Sequence, residues 1–455
     1  MAAALRGYRR GMLAAIAVAL VSTVVAAFTL GSSVLEPAAQ AVMQLTPVAV
    51  ANVLLQRLGV AARPLALLGA LAMLMAIGGS LGALLAGVLA VLRHVPPGTD
   101  LARRRTRREM GMESAAVLGG AGAIVGVSAA DAARRDRLVS GGGRQVFPFE
   151  PPLARVSGFP EAGQSPEVTP VAQFYVVSKN AQDPYLDATL WRLRIDGLTR
   201  QSIALTFDEL RALPRLDQYV TFQCVSNPVG GSLMSNALWS GVSLAALLER
   251  AGPLPDAARV VFSAPDGHEE SVPLELARRP ENLIAYAMNG EQLTRLHGHP
   301  ARVLLPGLYG FKQVKWLTHI RLAPETHRGY WPRRGWTDEA VIRTTARVDL
   351  ARAENGQIRA AGMALAGGRG ITAVEARVVS SDGRPGEWVP AELHTPPLSG
   401  MTWVQWRALL PPPTGVAGAD VEARAVDGEG RPQENALNGP FPNGSSGYHR
   451  LTVKA

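Results

Sequence analysis

The chain has 455 residues, of which 47% are apolar and 18% charged, which excludes a disulfide-stapled miniprotein and a chain disordered as a whole. Its single cysteine, Cys224, excludes an intrachain disulfide and a Cys-rich zinc or iron–sulfur site. The net charge of +9 is no nucleic-acid footprint, because residues 1–137 carry +8 of it (14 Arg, no Lys, 6 Asp or Glu) in a segment rich in apolar runs.

Residues 11–35 and 64–92 are uncharged, largely apolar runs, each long enough to cross a bilayer at about 20 residues per helix. A third run, 115–130, is Gly-rich and at the lower limit of a span. A signal peptide has a shorter apolar core and a cleavage site, so the pattern predicts a retained anchor of about three transmembrane helices within residues 1–137. Arg6, Arg9 and Arg10 precede the first run, and Arg93, Arg103, Arg104, Arg105, Arg107 and Arg108 follow the second, with only Arg57 and Arg63 between. The positive-inside rule then puts the N-terminus and the 93–112 loop in the cytoplasm. A third crossing delivers the rest to the periplasmic or extracellular side, which predicts a multi-pass protein of the cell membrane with lipid among its partners. Arginines ahead of a weak span also fit an internal twin-arginine export signal, with a stop-transfer cluster as the alternative. Segment 37–58, broken by Pro37 and Pro47, reads as an amphipathic or re-entrant external piece.

Residues 138–170 are rich in Gly and Pro and read as a linker. Residues 171–336 then read as a mixed α+β domain. Strands are predicted at 191–195, 219–223, 260–263, 303–305 and 315–322, with an Asp196-Gly197 turn after the first. Helices are predicted over 207–213, after Thr206 and with Asp208 and Glu209 in the first turn, and over 243–251, ending at Gly252. From 337 to 455 helical periodicity gives way to short strand-like runs at 357–364, 371–380, 403–409 and 421–425, which predict an all-β sandwich.

A lone cysteine is ordinarily a small buried hydrophobe. Cys224, however, closes an apparent strand and opens the turn-rich Val225-Ser226-Asn227-Pro228 stretch with Gly230-Gly231. A thiolate at such a junction is a soft ligand for a thiophilic metal whose other ligands come from a cofactor. Downstream, His297, His299, Arg302, Lys312 and Lys315 fall within twenty residues, interleaved with five Gly or Pro. Gly-rich turns expose N–H groups, and Arg and Lys bind phosphate, which suits an anionic, phosphate-bearing cofactor. A zinc site on His297 and His299 is a second reading, although no further motif completes the ligand set.

These residues carry a resemblance. Segment 174–336 resembles the molybdopterin-binding domain of the sulfite oxidase family, in what looks like a membrane-anchored bacterial form. The matching stretches are 174–187, 191–197, the cysteine loop 221–231, 239–242, 285–290, 297–302, 306–316 and 329–331. Residues 340–455 resemble the family's C-terminal immunoglobulin-like dimerisation domain, through 374–378, 381–383, Glu387-Trp388, 403–406 and 423–427. The resemblance implies Mo-molybdopterin as cofactor and Cys224 as the molybdenum ligand. It implies that Lys179, Asn180, Ser226, Asn227, His297, Arg302, Lys312 and Lys315 bind the cofactor, with Arg333 and Trp336 joining Cys224 at the catalytic centre. It also implies a homodimer. Because the chain lacks a haem-binding Cys-x-x-Cys-His, a separate electron-transfer partner is expected, a cytochrome or a quinone-linked protein.

The departures are as informative. Where sulfite oxidases place arginines, this chain has Ser178 in the opening motif and Pro228-Val229 after the cysteine loop. Where they place an active-site tyrosine, Trp336 follows Arg333-Arg334-Gly335. Arginine is the natural clamp for a dianion, so sulfite itself becomes a weaker substrate candidate. The expected function is two-electron oxygen-atom transfer to or from a small substrate, with sulfur compounds among the candidates and the direction left open. The alternative is a non-catalytic extracytoplasmic binding or scaffold protein that keeps the fold.

Overall fold

A computed structural model describes residues 8, 12–23, 36, 39–40, 68–77, 80, 121–139, 158–159, 161–180, 182–411 and 418–454. The chain forms two compact units, one of residues 1–142 with 177–185, the other of 143–176 with 186–455.

In the first unit, residues 12–23, 68–77 and 121–139 are helical. Small side chains let them meet: Ala19, Ala39 and Ala70 are fully buried, with Ile16, Leu71 and Ile124. The expectation of three transmembrane helices is corrected here, because no helix among the described residues is long and apolar enough to cross a membrane. The described parts of the first two runs fall short of the roughly 20 residues a span needs, and the rest of those runs lies outside the described residues. The third run does not stop at residue 130. Its helix runs on to 139 through Asp131, Arg134, Arg135, Asp136 and Arg137. Asp131 and Arg135 are buried as an ion pair at 2.6 Å, and Asp131 also accepts a hydrogen bond from Gln182 Nε2. A helix that buries an ion pair one turn apart is packed against protein, not laid into hydrocarbon. The multi-pass placement, with its cytoplasmic N-terminus and external catalytic domain, falls with the spans. The 93–112 arginine loop, most of segment 37–58 and linker residues 140–157 lie outside the described residues.

The second unit begins with two five-stranded sheets. The first pairs β1 (Arg192–Gly197), β2 (Ile203–Thr206), β5 (Arg259–Ser263), β6 (Glu269–Pro273) and β10 (His319–Ala323) in the order β2-β1-β10-β5-β6. Only β1 and β10 run parallel. The second sheet has the order β3-β4-β7-β8, built from β3 (Arg215–Gln223), β4 (Met234–Ser243), β7 (Leu283–Met288) and β8 (Glu291–Gln292), with β9 (Arg302–Leu304) pairing β7. Strand β7 is buried along its whole length, as its uninterrupted apolar run Leu-Ile-Ala-Tyr-Ala-Met requires.

Short helices join the sheets where the caps predict. Helix α1 (Phe207–Arg211) starts with a capping box: Glu209 N–H donates to Thr206 Oγ1 (3.1 Å) and Thr206 N–H to the Glu209 carboxylate (2.8 Å). Helix α2 (Leu244–Ala251) is capped by Ser243 and ends at Gly252 in the left-handed conformation. The strand expected over 315–322 starts only at His319, because Trp316 takes a positive φ of 54° and turns the chain into the interior.

The all-β region is a sandwich. One sheet is ordered β11-β12-β16-β15, from β11 (Thr345–Glu354), β12 (Gln357–Leu365), β15 (Glu392–Leu393) and β16 (Val404–Leu410). The other is β14-β13-β17-β18, from β13 (Ile371–Val379), β14 (Val389–Pro390), β17 (Asp420–Asp427) and β18 (His449–Thr452). Between them the core is built largely of Ala and Val around one large residue, Trp406, which is fully buried. The indole Nε1 of Trp406 has no hydrogen-bond partner among the described residues, so this side chain stabilises chiefly by packing. Trp406→Ala is expected to cost about 3–5 kcal/mol in denaturant unfolding. Trp406→Phe, which also removes the orphaned donor, should cost clearly less; equal losses would contradict the packing account.

Candidate active site

The site grows from the end of β3. The chain leaves the sheet at Gln223 and returns as β4, and the intervening loop is tied to itself. Cys224 N–H donates to Leu233 O (3.0 Å), Asn227 N–H to Cys224 O (3.0 Å), and Leu233 N–H to Asn227 Oδ1 (2.9 Å). Cys224 is 8% exposed, and its Sγ lies 2.9 Å from Ser226 Oγ. Burial pushes the thiol pKa up, against a smaller opposing effect of Ser226. Without a cation beside it, the sulfur therefore stays protonated.

Two tyrosines lie within electrostatic reach of the cysteine. Burial, then the nearby Cys224, raises Tyr175 well above the ordinary phenol value, while Arg302 pulls the other way. Its hydroxyl reaches the backbone at Gly310, where a Cβ would stand 2.5 Å from the phenol oxygen and 3.4 Å from Gln223 O. Tyr309 is 1% exposed, its phenol is likewise raised by burial, and its hydroxyl accepts from Arg343 N–H at 3.3 Å.

Arg302, at the start of β9, is 4% exposed and sits over the rings of Phe222 (4.8 Å) and Trp239 (5.1 Å). It donates to His297 O (2.9 Å) and Gln313 O (3.0 Å), while its Nε is buried without a partner. No carboxylate pairs with it among the described residues, and burial lowers its pKa to about 10. His297 is buried edge-on to Phe174, with Nε2 3.2 Å from Val171 O. His299 points elsewhere: Gln292 Nε2 is 2.9 Å from its Nδ1, and burial lowers its pKa to about 4. The zinc reading finds no support, since no group of three or more His, Cys, Asp or Glu is arranged for a metal among the described residues.

The two lysines of this stretch differ sharply. Lys312 is fully buried, and its ammonium is spent on Glu270 (3.1 Å), Asp338 (3.0 Å) and Ser271 O (2.8 Å). Burial outweighs that lysine at Glu270, whose pKa is pushed up to about 7. Lys315 is half-buried, donates to Leu296 O (3.1 Å) and lies over the Trp316 ring (4.4 Å). Ser226 and Asn227 are buried within the cysteine loop. Trp336 packs against the apolar cluster of Val225, Met234 and Tyr309 and meets Phe441 edge-on at 5.1 Å. Arg333 is largely exposed; it donates to Arg328 O and lies 3.7 Å from Glu269.

Thus Ser226 and Asn227 share the buried loop of Cys224, and Trp336 packs at its apolar edge. Tyr175 and Tyr309 lie within electrostatic reach of the thiol, and Arg302 is linked to the half-buried Tyr175. Lys179 and Asn180 belong to the other unit, where the Asn180 carbonyl oxygen accepts from Lys179 Nζ (3.0 Å) and Gln40 Nε2 (3.3 Å). Sequence reasoning missed both tyrosines. Tyr175 was readable as part of the opening motif; Tyr309 gave no sign beyond a Gly-rich context.

Comparison with known proteins agrees with this chemistry. The family model described as "Oxidoreductase molybdopterin binding domain" matches residues 180–331. The uncharacterized oxidoreductase YuiH of Bacillus subtilis (strain 168) is 34% identical over 177 residues, which is 39% of this chain and 87% of that protein. Human mitochondrial sulfite oxidase is 30% identical over 334 residues, 62% of this chain but only 59% of that protein, so less than two thirds of it is spanned. Among solved structures, the sulfane dehydrogenase SoxCD from Paracoccus pantotrophus shares the fold, with TM-score 0.53 at 20% identity over 63% of this chain and 81% of that chain. The chain belongs to the oxidoreductase molybdopterin-binding family that includes the sulfite oxidases: it is an enzyme, and its cofactor is Mo-molybdopterin.

Proposed function

We propose that this enzyme interconverts a small, uncharged thioether and its sulfoxide, with Cys224 as the protein's one ligand to the metal. The balanced half-reaction is thioether plus water giving sulfoxide, two protons and two electrons, the electrons passing to or from a separate redox protein. The observation that carries the reading is Cys224 itself, a buried thiol with the Ser226 hydroxyl at 2.9 Å and two phenols within its electrostatic reach. The cofactor supplies the oxygen-atom and two-electron chemistry.

These residues fit that group. A buried guanidinium with an orphaned Nε and no carboxylate among the described residues is poised for an anion, and a buried thiol with no cation beside it among them is poised for a soft cation. Cys224 would hold the metal as its thiolate, and the Ser226 hydroxyl, 2.9 Å from the sulfur, is placed to donate to that thiolate. The raised phenols of Tyr175 and Tyr309 keep their protons at neutral pH, so neither adds a negative charge near the sulfur. Packing by Trp336, Val225 and Met234 limits water on the apolar side.

An uncharged substrate is supported by what the arginine positions of the second unit offer. Pro228 and Val229 carry no charge, and Arg333 is turned toward Arg328 O and Glu269. None of these is an open fork for a dianion. With reduced viologen as electron donor, methyl sulfoxides should be reduced, and Cys224→Ala should abolish the reaction and lose the metal. Sulfite oxidation outrunning sulfoxide reduction in the wild-type enzyme would refute the substrate assignment.

The two lysines separate by a second measurement. Lys312→Met strands Glu270 in the interior and should cost about 3–5 kcal/mol of stability. Lys315→Met should leave the unfolding midpoint near wild type while lowering molybdenum content. The reverse pattern would reassign them.

A further inference from the structure

The cysteine loop is not held by its own domain alone. Three side chains from the C-terminal region reach it. Arg347, on β11, donates from Nη1 to Gly231 O at 3.1 Å. Ser445 Oγ donates to Asn227 O at 2.7 Å. The His449 ring, at the start of β18, lies against Gly230, where a Cβ would stand 2.0 Å from the imidazole. Gly230 has φ +73°, so both the turn and the imidazole demand glycine there.

The strongest of these groups is itself fixed. Arg347 has a side chain 12% exposed, and its remaining donors go to Asp349 (2.6 Å) and Ser165 Oγ (2.7 Å). Asp349 in turn accepts from Ser165 N–H (3.0 Å). The register of β11 against β12 slips between Val348 and Leu350, an irregularity of the kind that re-aims side chains next to sites. Val348 N–H donates to His449 Nδ1 at 3.0 Å, so the same irregularity seats the imidazole on Gly230. Arg347, Asp349 and His449 line one side of a cleft of about 440 Å³, and Gly230, Ser232 and Met234 line the other.

We propose that Arg347, seconded by Ser445 and His449, is a positioning residue through which the β-sandwich fixes the cysteine loop and the direction in which Cys224 presents its sulfur. This rests on the reading of Cys224 as the metal ligand. The sandwich is then part of the redox centre's scaffold, and motion in it reaches the sulfur through one charge-assisted hydrogen bond and two contacts. The guanidinium donates to Gly231 O, Asp349 and Ser165, which is why its role is one of positioning.

Cys224 is the only cysteine, so a thiol reagent reads one site in the full chain. Ellman's reagent is applied to wild type, Arg347→Ala, Arg347→Lys and Ser445→Ala, each prepared with and without cofactor. Loss of a charge-assisted hydrogen bond from the loop should raise its opening, and the labelling rate of the cofactor-free protein, by about tenfold in Arg347→Ala. Lysine, which keeps one donor, should restore part of the protection. Ser445→Ala, a milder change, should give a smaller increase and covers the case in which Arg347→Ala does not fold. In the holoenzyme the thiolate-to-metal absorption band should shift in Arg347→Ala and move back in Arg347→Lys.

Arg377→Ala, which breaks the Arg377–Glu422 pair (2.6 Å) within the other sheet of the sandwich, controls for general loosening and should leave labelling unchanged. Wild-type labelling rates in both Arg347→Ala and Ser445→Ala overturn the proposal, as does an equal rise in Arg377→Ala. Failure of the ligand reading shows separately, as equal Cys224 labelling in wild-type protein with and without cofactor.

Discussion

A thiol buried without a cation has one stable state, the protonated one, and Cys224 is held there by desolvation. The architecture of the site follows from keeping such a sulfur still and accessible to a metal. Strand β3 delivers it, Leu233 and Asn227 close the loop behind it, and Ser226 offers the hydroxyl that a thiolate needs. The sandwich adds hydrogen bonds to two of the loop's carbonyls, at Asn227 and Gly231. On the proposed reading of Cys224 as ligand, a loop pinned from both sides is the part of metalloenzyme chemistry that the protein, and not the cofactor, supplies.

Two buried cations near this loop show how charge is allotted. Lys312 is neutralised by Glu270 and Asp338, and the triad ties the first sheet to the 310–312 turn and the 338 segment. Arg302 has no carboxylate among the described residues; two carbonyls and two aromatic faces are its company. Desolvation makes an unneutralised guanidinium costly, and a chain that could place a carboxylate beside Lys312 does not place one beside Arg302. That difference leaves Arg302 as a buried cation for which the described residues supply no counter-ion.

Much of the site was legible locally. Cys224 at a strand end followed by a turn-rich loop, and Arg302 in a Gly- and Pro-punctuated stretch, declared themselves by type and context. Thr206, Ser243 and Gly252 fixed helix ends because caps are short-range. What resisted reading was long-range. Lys312 and Lys315 stand three residues apart with the same chemistry, and only tertiary packing turns one toward Glu270 and leaves the other half-buried. Arg347 lies 116 residues from the carbonyl it holds, and no pattern near it announces that contact. The apolar run 115–130 misled for a related reason: hydropathy ended the segment where the charges began, whereas the helix continued and buried them as a pair.

The central claim is that Cys224 is the one sulfur this chain gives to the metal. Molybdenum-edge X-ray absorption of the purified holoenzyme measures that directly by counting sulfur neighbours. The account predicts three in the wild type, two from the dithiolene and one from Cys224, and two in Cys224→Ser that retains the cofactor. The same sulfur count in both proteins would contradict it.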